Sequence, residues 1–134
     1  MLKITPIQTK EEQAKLCAVC GIEYDPACLA YRAYDDERFL GMTQFRFGSG
    51  HGIIKNIVSA PGVEDFEAMF IMGRATMDFI DRIGTHICKC PKDAGDRRLL
   101  ISIGFRDADE QAMQADMTDM FSGHCAGHTV KKPE

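Results

Sequence analysis

The chain has 134 residues, 45% of them hydrophobic, a size at which one compact domain buries roughly two thirds of its unfolded surface without disulfides or metal. Its 16 basic and 20 acidic residues leave a net charge of -4, with no basic helix and no basic run longer than pairs such as Lys131-Lys132, which argues against a nucleic-acid partner. No apolar run approaches the ~20 residues that span a bilayer, and the start of the chain lacks the charged and apolar regions of a signal peptide. A cytoplasmic protein with no membrane partner is expected, its six cysteines held as reduced thiols.

Residues 2–7 read as a first strand. Thr9 followed by Glu12 has the spacing of a capping box and opens a helix that runs to about residue 19 and stops at Gly21. Residues 28–34 are apolar enough for a second strand, and Asp35, Asp36 and Glu37 supply the turn into a third. Over 38–47 the alternation is clear, with Phe39, Gly41, Thr43, Phe45 and Phe47 on one face and Leu40, Met42, Gln44 and Arg46 on the other. Gly48-Ser49-Gly50 permits a tight reversal, so that 53–58 continues the meander.

Pro61-Gly62 ends that strand, and the spacing of Phe66, Met69, Phe70, Gly73, Met77 and Ile80 predicts one buried stripe on a helix over 64–83. Gly73 within the stripe suggests a close approach to the sheet, and Gly84 suits the residue that closes a helix. A short strand follows over 85–90 and is broken by Pro91. An amphipathic helix then spans 93–103, with Leu99, Leu100 and Ile103 inward. Residues 111–121 fit a strand or a helix, and the small, polar tail from Ser122 is expected to be loosely ordered.

Several groups invite a chemical reading. Cys17 and Cys20 on the first helix, with His124, Cys125 and His128 in the tail, offer the ligand types of a zinc site, yet helical cysteines on an apolar face more often pack, and a metal is not expected. Cys88 and Cys90 share a strand face and read as core. Cys125 is the best candidate for an exposed thiol. His51 and His86 start neighbouring strands, which places two imidazoles near the cleft of such a sheet, most simply as surface residues.

Three pieces carry a family resemblance: Arg38-Phe39-Leu40-Gly41-Met42 after an acidic turn, Gly52-Ile53-Ile54-Lys55-Asn56-Ile57-Val58 as a central strand, and Leu99-Leu100-Ile101-Ser102-Ile103-Gly104-Phe105 as a helix-to-strand corner. In this order, across residues 2–120, the chain resembles the GNAT (N-acetyltransferase) superfamily. The resemblance implies a single α+β domain, its mixed, mostly antiparallel sheet flanked by helices, and the short stretch after Phe105 leaves room for the last hairpin to lack one strand. The resemblance also implies acetyl-CoA as acyl donor and a small-molecule amine as acceptor. Backbone at Ile57 and Val58 would then line the pantetheine arm, and the turn from Ala60 to Val63 would lie closest to the pyrophosphate.

The chain departs from the family pattern twice. The stretch 63–68, where a glycine-rich phosphate loop is usual, has no glycine and carries Glu64, Asp65 and Glu67, which suit a helix N-terminus but repel a diphosphate. A second frame, 70–75, matches half of the motif but falls inside the helix. The position of the family's proton-donating tyrosine is Leu100, which cannot act as a general acid, and no catalytic residue is assigned. The alternatives to an acyltransferase are a catalytically silent GNAT-like module that binds a ligand or forms a homodimer through an exposed sheet edge, and a zinc-binding structural or regulatory domain.

Overall fold

In the computed structural model, which describes residues 1–121, the chain runs β1 (Leu2–Pro6), α1 (Lys10–Cys20), β2 (Leu29–Asp35), β3 (Arg38–Phe47), β4 (Gly52–Ser59), α2 (Phe66–Arg82), β5 (Ile87–Pro91), α3 (Arg97–Ile103), β6 (Arg106–Asp107) and β7 (Ala112–Asp116). The strands form one seven-stranded sheet in the order β1-β2-β3-β4-β5-β7-β6. Every pairing is antiparallel except that of β4 with β5. This is the mixed α+β architecture expected from the sequence. The segment left open as strand or helix forms β7, and the two-residue β6 after the Gly104-Phe105 corner completes the closing hairpin, so that no strand of it is lacking although it is short.

Local chemistry sets the helix limits. Thr9 Oγ1 accepts from the Glu12 N–H at 3.0 Å to start α1. Asp65 Oδ1 does the same for Ala68 at the head of α2, also at 3.0 Å. The stripe that α2 buries is Met69, Met72, Gly73, Thr76, Met77 and Ile80, with Phe66 and Phe70 only at its margin. Gly73 does permit a close approach, since a Cβ built there would lie 2.8 Å from Ile103 Cδ1, but its first neighbour is α3 and only then Ile57 of β4.

Two register shifts correct the face assignment of the central strands. Ala33 lies opposite Gly41 and Tyr34 opposite Phe39, so Leu40 is an inserted residue. Leu40 therefore joins the large core beneath α2, whereas Phe39 crosses to the smaller core of Leu16, Cys17, Ala30 and Met42 beneath α1. Strict alternation had placed Phe39 with Phe45. In β4, Asn56 lies opposite Gln44 and Ile54 opposite Phe45, which makes Lys55 the inserted residue and lets both Ile54 and Ile57 face α2. A bulge shifts the phase of alternation and leaves no mark in hydropathy. Helix α3 is also shorter than expected, beginning at Arg97 with Asp96 as its cap, because residues 94 and 95 are tied to β4 instead.

Candidate active site

β4 and β5 share only two pairs of residues, Gly52 with Cys88 and Ile53 with Lys89. Beyond them the parallel strands part, and cavities open on both faces of the sheet. On the α2 face lies a cleft of about 630 Å³ whose β4 wall is Ile57, Val58 and Ser59. Its lip is Val63, Glu64 and Asp65, where the chain turns into α2, and its far wall includes Gly95, Asp96, Arg98 and Leu99. On the α1 face a groove of about 410 Å³ is bordered by Glu23, Arg46, Lys55, Asn56 and Asp93. Val58 lines both cavities, and the wall between them is the chain segment that gives Ala94 to the groove and Gly95 to the cleft.

That wall is fastened to β4. The Ile57 N–H donates to the Ala94 carbonyl at 2.8 Å, and a Cβ built on Gly95 would lie 2.6 Å from the Ile57 carbonyl oxygen. Ser59, two residues further and so directed to the same strand edge, lines the cleft beyond this contact.

The cleft is apolar inside and charged at its mouth. Arg98 is the one cation among its lining residues, with its guanidinium carbon 4.1 Å from the centre of the Phe66 ring. Of the lining carboxylates, Asp65 caps α2 and Asp96 caps α3 by accepting from the Leu99 N–H at 3.1 Å. In each of these two a single carboxylate oxygen makes the cap.

A buried amide network supports the other face. Gln44 Oε1 accepts from Gln13 Nε2 at 2.8 Å and from the Asp25 N–H at 3.1 Å, while Gln44 Nε2 donates to the Glu23 carbonyl at 3.0 Å. These bonds hold α1 and the loop after it against β3, beside the groove. Lys55, turned to this face by its bulge, reaches Asp25 at 3.3 Å. The Ala27 N–H first, and then Lys55, hold the Asp25 carboxyl below its usual range.

The residues singled out in the sequence are distributed unevenly. Ile57, Val58 and Val63 line the cleft, while Ala60 is buried in the turn, bonded to Leu40 through its N–H and to Val63 through its carbonyl. Leu100 is fully buried in the core, and its neighbour Leu99 faces the cleft instead. Residues 70–75 lie within α2. The two histidines are not beside the cleft: His51 bonds the Ser49 carbonyl in the β3–β4 turn and His86 bonds Asp81, both at the end of the sheet away from the opening. Cys88 and Cys90 are buried in the large core, which pushes both thiols up to about 12, and Cys17 packs in the smaller core. Among the described residues no group of three His, Cys, Asp or Glu side chains is arranged to hold a metal, and His124, Cys125, His128 and the tail from Ser122 lie outside the described residues. Sequence reasoning missed Arg98, Lys55 and Gln44. Only Gln44 carried a signal, as a polar residue between Met42 and Phe45 in the best strand.

No family model and no curated protein matches the chain in sequence. In structure it is similar to an IAA acetyltransferase from Bacillus cereus, with a TM-score of 0.69 at 15% identity over 87% of this chain and 99% of that one. It is similar also to the PaiA N-acetyltransferase from Thermoplasma acidophilum, solved in complex with coenzyme A, at a TM-score of 0.67 and 11% identity over 87% of this chain and 99% of that one. A GNAT family acetyltransferase from Brucella melitensis in complex with acetyl-CoA superposes at 0.65, with 13% identity over 87% of this chain and 88% of that one. The fold is therefore the GNAT scaffold.

Proposed function

We propose that the protein is an N-acyltransferase that binds an acyl thioester, with acetyl-CoA as the simplest donor, in the cleft on the α2 face and transfers the acyl group to an amine entering from the groove on the α1 face. The observation that carries this reading is the parting of β4 and β5, which gives two cavities on opposite faces, both lined by Val58. The apolar trough along Ile57, Val58 and Leu99 suits an extended thioester arm, and Arg98 supplies a planar cation to a phosphate. Glu64 and Asp65 oppose the phosphate. Binding of the donor therefore rests on the arm more than on the diphosphate.

In the reaction the amine nitrogen bonds to the thioester carbonyl carbon, the carbon–sulfur bond breaks with its electron pair on sulfur, and the amine proton passes through water to the thiolate. Leu100 cannot supply that proton. The groove, with Glu23 and Asp93 against Arg46 and Lys55, presents both signs of charge to a polar acceptor. A second reading, a catalytically silent module that binds another ligand or forms a homodimer without binding CoA, is favoured by Leu100 and by the acidic lip.

The test is calorimetry of the reduced protein with acetyl-CoA, followed by thiol release across a panel of amines. Binding that raises the melting temperature is expected, since a ligand of the native state alone must stabilise it. Binding without thiol release from any amine would overturn the transfer step. No heat and no thermal shift at saturating acetyl-CoA would discard the acyltransferase and favour the silent module.

A further inference from the structure

We infer that segment 92–96 is a displaceable strap: it occupies the edge of β4 that the donor needs, and donor binding exchanges the Ala94 carbonyl on the Ile57 N–H for an acceptor of the ligand. This rests on the acyltransferase reading and concerns regulation of the same cleft. Pro91 has no N–H to continue the ladder, and the chain turns there, with the Ala94 N–H donating to the Pro91 carbonyl at 3.0 Å. The next element does not start until Arg97. The residues between are drawn onto β4, where Ala94 takes its edge donor and Gly95 packs against its edge acceptor.

The consequence is geometric. The strap is the partition between a cleft of about 630 Å³ and a groove of about 410 Å³, and transfer of an acyl group requires donor and acceptor to meet. With the strap seated they are separated by Ala94 and Gly95. With it lifted, the two cavities join at Val58. Both ends of the segment are fixed, one by the Lys92 N–H on the Gln111 carbonyl at 3.1 Å and the other by the Asp96 cap on α3, so movement is confined to residues 93–95. The seated form lowers apparent donor affinity by the fraction of molecules in which the edge is free.

Gly95→Ala separates the cases. The added methyl meets a backbone oxygen that cannot yield, so the strap must lift away from β4. In the variant, amide exchange at Ile57 is expected to accelerate and acetyl-CoA to bind about three- to tenfold more tightly, the range set by one hydrogen bond. In the native protein, acetyl-CoA is expected to accelerate exchange at Ala94 and Gly95 while Ile57 stays protected. Equal or weaker affinity in a variant whose Ile57 amide is free would overturn the strap, as would greater protection of Ala94 and Gly95 on binding. If Gly95→Ala does not fold, the exchange pattern of the native protein decides alone. If neither protein binds acetyl-CoA although the Ile57 amide of the variant exchanges freely, the acyltransferase reading falls, and the strap with it.

Discussion

Asp65 has two roles that a single substitution separates. It caps α2 through one oxygen and adds negative charge to the lip through the carboxylate as a whole. Asparagine keeps the cap, so Asp65→Asn is expected to leave stability within about 0.5 kcal/mol and to tighten acetyl-CoA binding roughly two- to fivefold at low salt. Asp65→Ala should instead cost about 1 kcal/mol in urea denaturation. Arg98→Ala is expected to weaken binding about fivefold or more, and most at low salt, because it removes the one cation lining the cleft and leaves its carboxylates unopposed. A binding constant indifferent to Arg98 would place the phosphates elsewhere. Gln44 is a matter of stability: Gln44→Leu strands the Asp25 N–H and the Glu23 carbonyl, takes one of two acceptors from the Gln13 amide, and should cost about 2–3 kcal/mol. At this scale the acidic lip was legible, since adjacent carboxylates after Pro61-Gly62 announce a helix start. Arg98 was not, because its place over Phe66 depends on how two helices meet.

Among the elements, sequence reading served best where one period holds throughout. Helix α2 and the meander follow from residue spacing and from the turns that bound them. The faces of β3 and the start of α3 do not. Leu40 and Lys55 are bulge residues whose effect is a phase shift, and residues 93–95 read as the start of a helix but form a turn whose Ala94 carbonyl bonds β4. Tertiary hydrogen bonding overrode local propensity there. The packing of α2 against α3 makes its own prediction. Gly73→Val drives two methyl groups into Ile103 and is expected to destabilise the protein by about 2–3 kcal/mol in urea denaturation, with the midpoint reduced and the slope unchanged.

For the molecule as a whole, buried thiols limit stability in alkali. Burial raises Cys20 and Cys28 to about 11, and Cys88 and Cys90 to about 12. An unfolded thiol ionises near about 8.5, so above that pH the unfolded chain releases protons that the native protein retains. Their contribution is intact below the unfolded value and is lost as pH rises toward the folded ones. At the acid end the sign reverses. The lowered carboxyls of Asp25, Asp107 and Asp116 favour the folded state above the unfolded value of about 3.9, and that advantage disappears as pH falls through their native values. Scanning calorimetry should show a plateau in melting temperature between about pH 5 and 8, with a fall on both sides. A melting temperature that rose from pH 9 to 11 would contradict the thiol assignment. A different property follows from the two rungs that alone cross the middle of the sheet. The four strands before them and the three after form two leaves joined in the ladder by a short spine, and what braces one leaf against the other is the Ile57–Ala94 bond and the core they share beneath α2 and α3. The midline owes its stiffness to side-chain packing rather than to the ladder.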